Sequence, residues 1–142
     1  MKNIKLIILF IFLSFSCQAE ERDPLFESGL QAIEKDDYAL AVSLLEKAVK
    51  AKPDKSEHHR WLGRVYGLQA EQASWFKAMK WAKKARISFE KAVEVEPENI
   101  EALLDLREFY KQAPGFLGGG KDKADLITEK LKSLGHDIDQ KT

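Results

Sequence analysis

Apolar and small residues recur along this chain at helical spacing, in paired segments separated by short polar breaks. Leu25, Gly29, Ala32 and Ile33 share the first face. Asp23-Pro24 opens it, a capping acid followed by the proline that suits a first helical turn. Asp36-Asp37 breaks the pattern, Tyr38 restarts it, Ala41, Leu45 and Ala48 continue it, and Pro53 ends it. A second pair runs from Leu62, Gly63 and Tyr66 to Ala85, Phe89, Ala92 and Pro97. A third follows Pro97-Glu98-Asn99, with Ala102, Leu103, Leu106, Phe109 and Tyr110 on its first helix. Ala124, Ile127, Leu131 and Leu134 mark the last helix, and Gly135 stops it. This pattern predicts an all-α chain of three antiparallel helix pairs.

The middle pair is long. Pro53 to Pro97 spans 44 residues, against about 34 for a common helix-pair repeat. The surplus lies between Tyr66 and Ala85, with no proline and no glycine after Gly67. It consists mostly of good helix formers. Both helices should therefore be longer by about five residues, roughly one and a half turns each. Ser74 is the expected N-cap at the turn. The hairpin would project, carrying Trp75 and Phe76 at its tip.

The spacings Leu62-Gly63-x-x-Tyr66 and Ala85-x-x-x-Phe89-x-x-Ala92-x-x-x-x-Pro97 resemble the tetratricopeptide repeat (TPR) family. Gly29 to Pro53 matches the same pattern, with Ser28 in place of the usual leucine and Ala32 in place of the tyrosine. Arg107 replaces the glycine of the third repeat, which implies looser helix contact there. The resemblance covers residues 24–134 and implies a right-handed solenoid of three hairpins. Its repeats fall at about 23–53, 56–97 and 99–134, in a domain of residues 20–135 followed by a flexible tail, 136–142. Ala113 to Ala124, together with the long middle hairpin, resembles a subgroup of bacterial exported TPR proteins. That resemblance brings no activity with it.

The N-terminus reads as a targeting segment. Lys2 and Lys5 precede an unbroken apolar run, Leu6 to Leu13, too short for a bilayer span of about 20 residues. Cys17-Gln18-Ala19 then supplies small residues for a signal peptidase. Residues 1–19 are thus expected to be a signal peptide, with the protein periplasmic or secreted. Ser16-Cys17 also resembles the end of a lipobox, although Ser14 stands where an aliphatic residue belongs. Membrane attachment is expected only if Cys17 is lipidated, and a lipid-anchored envelope assembly factor is the alternative that follows from it.

Charge narrows the choice of partners. The chain has 23 basic and 23 acidic residues, which gives no general attraction to nucleic acid, and none is expected as a partner. One segment runs against this balance: Trp75, Phe76, Met79 and Trp81 interleave with Lys77, Lys80, Lys83, Lys84 and Arg86. Such a helix suits membranes or single strands. An ordinary solvated face opposite the Ala78-Ala82-Ala85 packing side is the preferred reading, and it leaves Trp75 and Phe76 at the tip unexplained.

Gly115 to Lys121 reads G-x-x-x-x-G-K, followed by Asp122 instead of the Ser or Thr that would hold magnesium. The stretch is therefore expected to be a flexible connector. No nucleotide and no cofactor are expected, and a phosphate- or nucleotide-binding protein using Gly115 to Lys121 is the alternative. Gly118, Gly119, Gly120 and Lys121 retain an alternative role, holding a carboxylate or phosphate of a partner at the following helix start. Adjacent His58 and His59 point about 100° apart on a helix and cannot share a metal; both are expected to be partly exposed. No catalytic constellation is present, so the chain is read as a non-enzyme.

In TPR proteins the first helix of each pair lines a concave groove. The resemblance places Phe26, Leu30 and Ile33 there, then Glu57, Arg60 and Arg64, then Glu101, Leu104, Glu108 and Lys111. Phe26, Leu30 and Glu101 stand where a carboxylate clamp would need cations or amides. Arg60, Arg64, Leu104, Glu108 and Lys111 are the candidate contacts for a protein or peptide partner. Arg60 and Arg64 have a structural alternative, pairing with Glu57, Glu101 or Glu108. Phe116 and Leu117 are expected to cover the middle hairpin. The resulting expectation is a non-catalytic exported adaptor.

Overall fold

The computed structural model describes residues 23–136 and 138. The expected signal peptide, Cys17 and most of the expected tail lie outside the described residues. Among the described residues six α-helices follow one another: α1 Pro24–Glu34, α2 Tyr38–Ala51, α3 Ser56–Gln72, α4 Trp75–Val95, α5 Ile100–Gln112 and α6 Lys121–Ser133. One 3₁₀ turn, Gly115–Leu117, precedes α6. Consecutive helices pair as α1/α2, α3/α4 and α5/α6, and α2 packs on α3 as α4 does on α5. The first helices also meet, α1 with α3 and α3 with α5. The result is a right-handed TPR-type solenoid of three hairpins.

Local chemistry sets the boundaries. The Asp23 carboxylate accepts from the amides of Leu25 and Phe26, with Pro24 at the first helical position. Asp37 caps α2 through Leu40 N, and Asn99 caps α5 through Ala102 N. Helix α6 ends in a paired closure: His136 N reaches Leu131 O, Gly135 N reaches Lys132 O, and Gly135 takes φ +77°. Those two bonds satisfy carbonyls that the helix end would otherwise leave open.

The lengthening falls where expected, but unequally. Helix α3 has 17 residues and α4 has 21, against 11 to 14 elsewhere. Ser74 does occupy the N-cap of α4, though its side chain makes no capping bond. Two corrections concern exposure. His58 and His59 are buried: His58 stacks on Phe26 with ring centroids 4.5 Å apart, and His59 Nε2 lies 2.8 Å from Pro53 O. The expected partial exposure took no account of α1, which lies over this end of α3.

Alanines bring the helices together. Ala41, Ala48, Ala85, Ala92, Ala102 and Ala124 are buried among Leu45, Val65, Leu103 and Leu131. A Cβ on Gly29 would lie 2.8 Å from Leu45, and one on Gly63 would lie 2.7 Å from the Phe89 ring. In the third pair Arg107 replaces that glycine, and a smaller Thr128 answers it; Arg107 Nε donates to Thr128 Oγ1 at 2.6 Å. Close apolar contact is thus exchanged for a hydrogen bond. Ser56, fully buried, donates to Ala92 O at 2.8 Å and ties the start of α3 to the end of α4.

Candidate binding groove

The length of the middle hairpin leaves part of α3 and α4 without a neighbouring helix of equal reach. Beside this part, α5 and the 3₁₀ turn form the opposite wall of a groove of about 480 Å³. That size falls within the usual range for ligand clefts, about 300–1,000 Å³. Helix α3 contributes Trp61, Arg64, Gly67, Leu68 and Glu71. Ala82, Ala85 and Phe89 come from α4, Asp105, Glu108, Phe109 and Gln112 from α5, and Leu117 from the turn. The apolar floor is rigid on both sides. Phe89 and Phe109 meet with centroids 6.1 Å apart, and Trp61 lies under two guanidinium groups, Arg64 at 4.9 Å and Arg60 at 5.4 Å.

Asp105 joins the walls electrostatically. Arg64 Nε lies 3.0 Å from its carboxylate and Arg60 Nη1 3.4 Å. Arg60 and Asp105 are largely buried, whereas Arg64 is partly open to water. Both arginines thus span two hairpins, and neither pairs with Glu57, Glu101 or Glu108, the alternative partners the sequence offered. Holding a partner's carboxylate would cost them Asp105. At the rim, the Gln112 amide donates to the Glu108 carboxylate and Lys111 lies 3.5 Å from it. That hydrogen bond, then the Lys111 charge, holds the Glu108 carboxyl below its ordinary range. With Glu71 alongside, three carboxylates border the groove; Arg60 and Arg64 engage Asp105, Lys111 engages Glu108, and Glu71 has no ion pair among the described residues.

Of the candidate contacts, Arg64 and Glu108 line this groove, while Arg60 lies against the Trp61 ring and Asp105 without lining the groove. Leu104 is half-buried outside it, and exposed Lys111 serves Glu108. The glycine loop is also separate, and it is built differently from the flexible connector expected. Gly118 N bonds to Gly115 O, Gly119 N to Pro114 O and Gly120 N to Tyr110 O. All three amides are therefore engaged inside the turn. A Cβ on Gly119 would fall 1.8 Å from Ala113 O, so only glycine permits this closure. Lys121 pairs with Asp125, and Lys123 donates to Gly118 O at 2.8 Å. Leu117 does pack toward the middle hairpin, but Phe116 stays 64% exposed, contrary to expectation. A one-turn 3₁₀ segment cannot aim both neighbours at the same wall.

Trp61, Gly67, Leu68, Asp105 and Gln112 were not expected at a binding groove, and Phe109 was expected only on the packing face of its helix. A signal was present. Trp61, Arg64, Leu68 and Glu71 recur at i, i+3, i+7 and i+10, and Asp105, Glu108, Phe109 and Gln112 at i, i+3, i+4 and i+7. Each set forms one helical face, and the α3 face continues into the lengthened region.

No family model and no curated protein matches the chain. Among solved structures, the human IFIT1 dimer with PPP-AAAA is similar, with TM-score 0.64 and 27% identity over 78% of this chain. A monomeric IFIT1 mutant with Gppp-AAAA gives TM-score 0.62 and 24% identity, also over 78%. The chain spans about a quarter of the length of these structures, 24% and 25% respectively.

Proposed function

We propose that this protein is a non-catalytic adaptor that docks an extended or helical peptide in the groove between the middle hairpin and α5. The observation that carries the reading is the groove's composition: an aromatic and aliphatic floor edged by Glu71, Asp105 and Glu108, of which Glu71 has no ion pair among the described residues. Such a surface suits a peptide whose apolar anchor is flanked by lysine or arginine, the apolar part supplying affinity and the charge supplying register. The closed glycine loop favours a connector over a nucleotide site, because the amides of Gly118, Gly119 and Gly120 are already engaged. The leader-like residues 1–19 support export to a periplasmic or secreted location, with a Cys17-linked envelope factor as the competing form.

The similar IFIT1 structures hold PPP-AAAA and Gppp-AAAA, so a capped or triphosphorylated oligonucleotide is the competing ligand. Asp105, Glu108 and Glu71 oppose a polyphosphate in this groove. Selection from a random peptide library, followed by calorimetric titration, separates the two. Binders should share an apolar residue beside a basic one and lose at least tenfold in affinity to Glu71→Lys with Glu108→Lys. Saturable binding of PPP-AAAA that Arg64→Ala abolishes would replace the peptide reading.

A further inference from the structure

Outside the groove, α4 carries a face that nothing in the fold uses. Phe76, Lys80, Lys83 and Ile87 recur at i, i+4, i+7 and i+11, so they form one stripe about 16 Å long. Phe76 is 80% exposed, Ile87 57%, and Trp75 beside them 66%. Lys80 and Lys83 are exposed too. Between Glu71 and Glu90 the chain has no acid and five basic residues. Lys84 reaches Glu46 and Arg86 reaches Glu90. Lys77, Lys80 and Lys83 have no ion pair among the described residues. Lys77 and Lys80 also line a cleft of about 600 Å³ at the tip, with Gln69, Gln72 and Ser74. Further along the face Glu90 and Glu94 end the basic zone, each engaged by a neighbouring cation.

We propose that the tip and outer face of α4 dock on an anionic phospholipid surface, with Trp75, Phe76 and Ile87 entering the interface and Lys77, Lys80 and Lys83 meeting the headgroups. Charge selects this occupant. A second copy laid on the same stripe would set Lys80 and Lys83 against like charges. A single strand would find two aromatics at one end and an aliphatic Ile87 at the other, which is a poor stacking platform. An interface accepts this mixture: rings and aliphatics sink, while lysine stems lie along them with their ammonium groups in the headgroup layer. Among the described residues no helix is long and apolar enough to cross a membrane, so α4 would lie on the surface rather than span it. The cleft beside the tip has room and donors for a phosphodiester.

The test uses the full chain with vesicles containing acyl-brominated lipid, either phosphatidylcholine alone or with one quarter phosphatidylglycerol. Tryptophan quenching should occur only with the anionic vesicles and weaken as salt rises. Lys77→Gln, Lys80→Gln and Lys83→Gln together should weaken binding at least tenfold while leaving the helical spectrum and Tm intact. Trp75→Phe should remove the quenched part of the emission, which sets tip docking apart from any attachment through residues 1–22. Quenching that survives Trp75→Phe, equal binding to neutral vesicles, or a triple variant that binds like the wild type would each overturn the proposal. Lipid-free self-association or oligonucleotide binding that the same three substitutions abolish, without vesicle quenching, would also overturn it.

Discussion

Gly63 and Gly67 lie one turn apart on α3, and the same substitution should shift stability in opposite directions at the two sites. A methyl at position 63 meets the body of the Phe89 ring at 2.7 Å, whereas one at position 67 meets nothing within 4 Å. Alanine improves helix propensity by about 1 kcal/mol at either site. Overpacking costs about 1–3 kcal/mol. Urea denaturation should therefore show Gly63→Ala losing stability and Gly67→Ala gaining about 1 kcal/mol. His58 gives a second residue-scale expectation. Burial, the largest influence, lowers its pKa, although Asp23 pulls the other way. The unfolded chain then takes up the proton first, near the ordinary pKa of about 6.5. Stability contributed by neutral His58 is complete above that pH and is lost as pH falls below it. Glu57 and Lys52 are the other charges facing it. The urea midpoint of the wild type should drop between pH 7.5 and pH 5, and His58→Gln should flatten that slope.

At the scale of helices, the two seams between hairpins use the same device. Tyr66 on α3 donates to Glu46 on α2, and Tyr110 on α5 donates to Glu90 on α4 at 2.9 Å. A lysine lies over each ring, Lys84 at 5.0 Å and Lys123 at 5.3 Å. Burial first, then the hydrogen bond, pushes the Tyr110 hydroxyl up to about 12; Tyr66 is raised by the same causes. Each Tyr→Phe change removes a hydrogen bond to a carboxylate and should cost about 1.5–3 kcal/mol. The double variant should lose about the sum, because the seams share no partner; urea titration of the three variants checks both points. Much of this scale was legible beforehand. Asp23-Pro24, Ser74 and the Ala85–Ala92 spacing marked helix starts and contacts, because caps and packing faces are local in sequence. Asp105 was not legible as the partner of Arg60 and Arg64: Glu101 and Glu108 on the same helix were the candidates, and which acid reaches α3 depends on how α5 is turned against it. Phe116 was misplaced because the aim of a short turn depends on hydrogen bonds, such as Gly120 N to Tyr110 O, that spacing does not encode.

Across the whole molecule, the surplus in the middle repeat is the feature with consequences for binding. It extends α3 and α4 beyond their neighbours, opens the groove against α5, and carries Trp75 and Phe76 out to the tip. Asp105 keeps the walls in register, so removing it should weaken both fold and site. Asp105→Asn should cost about 1.5–3 kcal/mol, the usual range for hydrogen bonds to charged groups, as thermal melts of the two proteins would show. The central claim is that the groove itself is the docking surface, and Gly67 allows it to be blocked without touching the core. Gly67→Leu places a side chain in the open cleft at a position where a Cβ meets no other atom within 4 Å. Calorimetric titration of a library-selected peptide against wild type and Gly67→Leu is the decisive measurement. At unchanged or higher Tm, the account predicts at least a tenfold loss of affinity. Equal affinity for both proteins would contradict it.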